Sequence, residues 1–405
     1  MYKIYSYSRI ALISLIVIIT IIATVYCYEI ENTSNEELVT EKIEVTEVVE
    51  TTEPEDVVIA SEYERLYHEL NKALESKNFN YEVNLFFKDT FERVYDNFDS
   101  WTKGYRDFPT REEFIMKSII NPIYSITDVV FYESGSEEAE RLINEEYMPS
   151  GWVERDGEEL IINIIADKAE NADSYARAYD VEMFFHEVTH CKDKALINDY
   201  CIGYEELDYF FTEGMATFNQ KFVYDSAEDE GGAWTISDSK ETYTIKYTKN
   251  NCIGYLLYMN FCEKLAYLAD YKNVERVELG EIAFSDLVDI IADRYGREKT
   301  DKFFAIMIEM FESYEESWRS DEVFNLAVEA EMIFLDFIRY DIEKIDNAEA
   351  AKDYKPIYDF YINKNLPDVE YKNSYININR EFFKIEVLDE MLNEKLALNN
   401  IYSEN

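Results

Sequence analysis

The sequence predicts an α+β fold: a short mixed sheet with an edge strand beside one histidine-bearing helix, followed by a predominantly helical C-terminal lobe. Three observations carry this. Apolar residues recur three and four apart from Ser61 to about residue 125 and again beyond residue 280, the period of amphipathic helices. Between these stretches, "ITDVVFYES" and "GWVERDGEELIINIIAD" are β-branched runs, and Asp156-Gly157 is a hairpin signal between two of them. Hydrophobic residues make up 47% of the 405, with 34 Tyr and 25 Phe, enough apolar matter for a large core.

The chain opens with Lys3 and Arg9 ahead of nineteen uncharged residues, Ile10 to Tyr28, close to the length that crosses a bilayer as a helix. Basic residues before it and acidic residues after it put the remainder outside, so residues 1–28 are expected to be a membrane anchor of an extracytoplasmic protein. No A-x-A pattern closes the segment, which favours an anchor over a cleaved signal peptide; cleavage would make the protein secreted. Residues 29–60 hold eleven acidic residues, one lysine and no aromatic, the composition of an acidic disordered linker.

Residues 61–125 form an N-terminal helical region in which "PTREEFIMKSII" places Pro109 and Thr110 at a helix start. Residues 126–270 contain the β-branched runs and the histidine helix and form the expected core unit. Residues 271–405 form the helical lobe, where "FSDLVDIIADRYG" ends at a Gly C-cap and "KTDKFFAIMIEM" begins with a Thr cap at Thr300. The last part, from "YKPIYDFYINKN" onward, suggests no chemistry. The formal charge of -46 repels nucleic-acid phosphates and anionic lipid heads, which argues against a nucleic-acid partner and leaves the N-terminal segment as the membrane contact.

The chemistry is concentrated in "VEMFFHEVTHCKD". The chain has three histidines, and two stand four apart with Glu187 directly after the first. At this histidine frequency an H-E-x-x-H string arises by chance in roughly three of every thousand such chains, so accident is a poor explanation. On a helix, His186 and His190 project from one face and aim their imidazoles at one point, a donor pair that suits zinc. Glu187 lies to one side of them in rotation, beside the metal rather than on it, where a general base for a zinc-bound water belongs. Phe184, Phe185 and Val188 cover other faces and read as core, and His68 reads as a surface or satisfied core histidine.

A catalytic zinc needs a third protein ligand and an open position. The candidate that stands out is Glu213 in "YFFTEGMATFNQKF", twenty-three residues past His190, with Glu206 as runner-up. HEVTH followed by "TEGMATF" on a second helix resembles the gluzincin branch of zinc metallopeptidases, the group of thermolysin and the aminopeptidase N-like enzymes. The resemblance covers mainly residues 155 to about 265. It implies a zincin-like fold, one Zn²⁺ per chain held by His186, His190 and Glu213, Glu187 as general base, and a peptide or protein substrate lying along strand 159–166 as an open edge. It also implies an oxyanion donor near the start of the next apolar helix: Tyr247, with Tyr243 second.

Departures from the family pattern are local. Thr212 stands where relatives usually carry Asn, and Thr217 and Gln220 stand where many place the carboxylate that orients a zinc histidine. Gln220 could accept an imidazole proton through its carbonyl oxygen, and Asp193 or Glu182 could substitute. No G-x-M-E-N type string precedes His186, so the resemblance implies an endopeptidase rather than an aminopeptidase. An inactive surface binding protein on the same scaffold is the alternative, and a calcium-holding stalk lacks the regular acidic loops it would need. Cys191, Cys201, Cys252 and Cys262 are either reduced core residues or cross-links; a helix over 250–270 excludes only the Cys252–Cys262 pairing. Cys191 points away from the histidine face and is not expected to bind metal.

Overall fold

Ser61 caps the first helix: its side chain accepts from the Glu64 N–H (3.2 Å) while its own N–H donates to the Glu64 carboxylate (2.8 Å). The computed structural model describes residues 61–398 apart from 145–147, 157–158, 173, 193–202, 224–230, 238–241, 249–258, 318–320, 365–367, 372–379 and 381–382. The expected anchor and linker, 1–60, lie outside the described residues, and no helix among the described residues is long and apolar enough to cross a membrane.

Helix α1 (Glu62–Glu75) carries Leu66 and Leu70 on its buried face, with His68 exposed, and α2 (Tyr81–Thr102) carries Phe86, Phe87 and Phe91. Helix α3 (Arg111–Ile115) begins at Thr110, the cap its sequence predicts, which forms a second capping box with Glu113. It runs through a π-helical turn (Met116–Ile120) into α4 (Asn121–Ser125). Strand β1 (Asp128–Glu133), helix α5 (Glu137–Asn144) and strands β2 (Gly151–Asp156) and β3 (Glu159–Ala166) follow. β2 and β3 pair antiparallel across 157–158, in agreement with the hairpin signal.

The sheet corrects one expectation. Its order is β1-β3-β2, with β1 parallel and β2 antiparallel to β3, so strand 159–166 is the central strand and not the open edge. The reason is visible in "ELIINIIA". Leu160, Ile162 and Ile164 join the main core, while Ile165 packs on the other face with Ala139 and Leu142 of α5. A strand apolar on both faces belongs inside a sheet. β2 is an edge. The Ile165 N–H donates to the Ser150 carbonyl (2.8 Å), which with the register turns the even-numbered residues of β2 toward β3. The N–H and C=O of Gly151, Val153 and Arg155 therefore point outward.

The histidine helix α6 (Ser174–Lys192) lies against this sheet and against α2, where Phe184 meets Phe86 and Phe87 at ring separations of 5.2 and 4.8 Å. A 3₁₀ turn (Glu205–Leu207) leads into α7 (Asp208–Gln220), which packs along α6 and ends in a second 3₁₀ turn (Lys221–Val223). Strands β4 (Gly231–Ser237) and β5 (Thr242–Thr248) form a hairpin. Of the helix expected over 250–270, the described part is α8 (Met259–Ala269), and Cys252 lies outside the described residues.

The helical lobe consists of α9 (Tyr271–Glu278), α10 (Phe284–Tyr295), α11 (Arg297–Ser317), α12 (Asp321–Lys344) and α13 (Ala348–Asp359), the last extended by a π turn (Phe360–Lys364). Gly296 ends α10 as the C-cap its sequence predicts, at a positive φ of 95° that glycine adopts readily. Thr300 does not cap α11. That helix starts three residues earlier, and the Thr300 hydroxyl donates to the Gly296 carbonyl at 3.1 Å from inside its first turn. The C-terminal segment supplies β6 (Asp368–Tyr371), which pairs with β5 to complete a second, antiparallel sheet ordered β4-β5-β6, and then α14 (Ile385–Ala397). One contiguous apolar cluster reaches from Leu66 of α1 to Leu392 of α14.

Candidate metal centre

Helix α6 is wrapped on most of its circumference. Phe184, Phe185 and Val188 are fully buried, as expected, and so is Val181, which leaves one polar stripe to face the sheet edge and α7. On that stripe His186 and His190 are four residues apart, and their Nε2 atoms come within 3.1 Å of each other. Helix α7 brings Glu213 to the same point from the other side. Its Oε2 lies 3.3 Å from His186 Nε2 and its Oε1 3.7 Å from His190 Nε2.

These separations can be compared with what an ion requires. Two donors bound to a tetrahedral zinc at about 2.0–2.1 Å stand about 3.3 Å apart. The observed edges of 3.1, 3.3 and 3.7 Å are close to that value, and the donor set of two imidazoles and a carboxylate suits zinc. Among the described residues this is the one cluster of three or more His, Cys, Asp or Glu with converging ligand atoms. Glu206 is exposed on the 3₁₀ turn and takes no part in it.

The surroundings tune each group differently. Burial opposes a charge on His186, but its contact with Glu213, with Glu187 nearby, outweighs this and raises its pKa. His190 is pushed down to about 4 by burial and by His186, so it stands neutral with a lone pair to offer. Burial works against ionisation of Glu213, yet the hydrogen bond with His186 holds its pKa below the ordinary carboxylate value. Glu187, only 4% exposed, is pushed up to about 7, chiefly by burial. A carboxyl balanced near neutrality can both take and return a proton.

The orienting partner of His186 is an amide. His186 Nδ1 is 2.9 Å from Gln220 Oε1, so the Nδ1–H donates and Nε2 faces the cluster. The Gln220 amide in turn donates to the buried Glu182 carboxylate. Gln220 and Glu182, offered by the sequence as alternatives, act in series. His190 Nδ1 has no hydrogen-bond partner among the described residues, while the His190 carbonyl accepts from Arg155 Nη2 at 2.8 Å. Asp193 lies outside the described residues. Thr217 donates to the Glu213 carbonyl at 2.7 Å and does not reach a histidine.

Tyr247 lies on β5 opposite Gly232 of β4, and Tyr243 lies opposite Ile236; their side chains are outside the described set. Cys191 is a buried thiol, pushed up to about 12 by burial, and does not join the cluster. Cys262 is also buried, its Sγ 3.5 Å from the Phe211 carbonyl.

Sequence reasoning missed Gly151. A Cβ at this position would stand 3.0 Å from Glu187 Cγ and 3.2 Å from Glu187 Oε1. The first residue of β2 is thus a glycine because the Glu187 side chain occupies the space. The available signal was a glycine opening a strand pattern, which marks a close approach of backbone to another group.

No protein family, curated protein or solved structure matches this chain.

Proposed function

We propose that this chain is a zinc-dependent peptidase of the gluzincin type, working as an endopeptidase on extracytoplasmic peptides or proteins from an N-terminal membrane anchor. The observation that carries the reading is the triangle of donors from His186, His190 and Glu213, with the Glu187 side chain buried beside it. A zinc ion held by these three residues would supply the activation of a water and the polarisation of a carbonyl.

The chain's own residues account for the rest. Gln220 sets the tautomer that turns His186 Nε2 toward the cluster. Glu187 takes the proton of the attacking water and delivers it to the departing amide nitrogen as the C–N bond breaks. An extended substrate pairs with the outward N–H and C=O groups of Gly151, Val153 and Arg155 on β2, which brings its backbone past Glu187. Tyr247 is assigned as the oxyanion donor on the resemblance alone. The acidic surface, with a formal charge of -46, disfavours nucleic acid as a substrate.

Two variants test this. Glu187→Gln should retain one zinc per chain and lose peptide cleavage, whereas Glu213→Ala should lose zinc. A Gln variant that still cleaves a peptide library would sink the mechanism. A wild-type chain that holds zinc and cleaves nothing would favour the alternative, an inactive scaffold that binds at the cell surface. The amide at Gln220, in place of a carboxylate, is the observation on that side.

A further inference from the structure

The two helices that supply the metal donors end in the same way. Lys192 is the last residue of α6, two beyond His190, and Lys221 follows α7 directly after Gln220. Neither reaches solvent. Lys192 Nζ lies 2.8 Å from Glu278 Oε2, with the two side chains 2% and 0% exposed. Lys221 Nζ lies 2.9 Å from Glu263 Oε1, with exposures of 3% and 1%.

Both acceptors belong to one pair of helices. Glu263 is on α8 and Glu278 closes α9. The joint between these helices is itself held: Asp270 adopts φ 65°, in the left-handed region that non-glycine residues avoid, and Arg294 grips its carboxylate at 2.6 and 3.0 Å. The Tyr105 hydroxyl adds a 2.7 Å bond to Glu263, and Ser118 stands 3.3 Å from Lys192 Nζ. One bent helix pair thus holds the ends of both donor-bearing helices.

Stability does not explain such pairs. Two charges taken out of water gain little over apolar side chains of the same volume, so a buried ion pair is best understood through the register it imposes. The contacts around α6 and α7 are largely phenylalanine, such as Phe184 against Phe87 and Phe210 against Phe311, and non-directional apolar contact fixes axial position less sharply than a short polar one. A lysine held against a fixed carboxylate does, by a hydrogen bond in Lys221–Glu263 and by a close ion pair in Lys192–Glu278. A metal site needs its donors held to within about 0.5 Å.

We propose that Glu263 and Glu278 are positioning residues for the metal centre, each locking one donor-bearing helix through its terminal lysine so that Glu213 meets His186 and His190. This rests on the zinc reading above. The fold contains its own control: Lys264 and Glu331 form a third pair, 2.9 Å apart and 5% and 4% exposed, which joins α8 to α12 and includes no residue from the end of either donor helix.

The experiment compares Glu263→Gln, Glu278→Gln and Glu331→Gln in the full chain. Zinc affinity is read by competition with a chromophoric chelator, site geometry by the visible spectrum of the Co²⁺ form, and stability by thermal unfolding. Glu263→Gln and Glu278→Gln should each weaken zinc at least tenfold and shift the cobalt spectrum. Glu331→Gln should lower the unfolding midpoint comparably while keeping affinity within twofold and the spectrum unchanged. Equal loss of affinity in all three, or no loss in the first two, overturns the proposal. If the single variants do not fold, the volume-matched double variant Lys192→Met with Glu278→Leu replaces them, and wild-type affinity in it is equally fatal. A wild-type chain that takes up neither Zn²⁺ nor Co²⁺ overturns the metal reading, a result distinct from the others, and the proposal with it.

Discussion

Gly151 lies so close to Glu187 that a methyl group at residue 151 would meet the glutamate side chain at 3.0 to 3.4 Å. The edge strand and the histidine helix are in effect spaced by one carboxylate. Gly151→Ala should push that carboxylate aside without touching any metal donor. The shift needed is a few tenths of an ångström, well short of the 1 Å that costs about 10²-fold, so peptide turnover should fall by about two- to tenfold with zinc content unchanged. Steady-state kinetics beside metal analysis would decide it; full activity would mean that residue 151 does not set the position of Glu187.

The amide relay from Glu182 through Gln220 to His186 sets the ligand's tautomer. Gln220→Ala should therefore weaken zinc by about ten- to a hundredfold, the usual effect of losing such a partner. Gln220→Glu should recover or exceed the original affinity, because a carboxylate accepts the Nδ1 proton more strongly. Chelator competition on the three proteins is sufficient. An unchanged affinity in the alanine variant would remove the relay from the account.

Away from the site, Asp180 on α6 is pushed up to about 6, mainly by burial, although it accepts the Asp167 N–H. The folded state therefore binds this proton more tightly than the unfolded chain does. Its contribution is fully present below the unfolded value of about 3.8 and is lost as pH rises through about 6. Asp180→Asn should thus be more stable than wild type at pH 7, by at most about 3 kcal/mol from a shift of about two pKa units. Urea titrations at pH 4 and pH 7 should show the gain only at the higher pH, and a gain at both would refute the assignment.

Much of the local structure was legible because it depends on neighbours in sequence. The Thr110 cap, the Gly296 helix stop and the hairpin at Asp156-Gly157 each involve residues within a few positions of one another. The meeting of His186, His190 and Glu213 was legible for a related reason: i and i+4 share a helix face, and Glu213 lies on the next helix described. The place of strand 159–166 was misread, although its unbroken apolar run argued for the centre of the sheet. Thr300 was misread because a capping residue and an interior threonine that bonds back to residue i−4 look alike in one sequence.

Spacing and residue type alone determined the α+β class, the candidate donors His186, His190 and Glu213, and Glu187 beside them. Those features follow from helix geometry, which is the same in any surroundings. Only the tertiary structure decided that β2 forms the edge, that Gln220 and Glu182 work as a chain, that Gly151 spaces Glu187, and that Lys192 and Lys221 are buried against Glu278 and Glu263. Each of these joins residues between 34 and 86 positions apart, or depends on which strand has a neighbour on both sides. Their energies come from burial and exclusion of water, which no local pattern records.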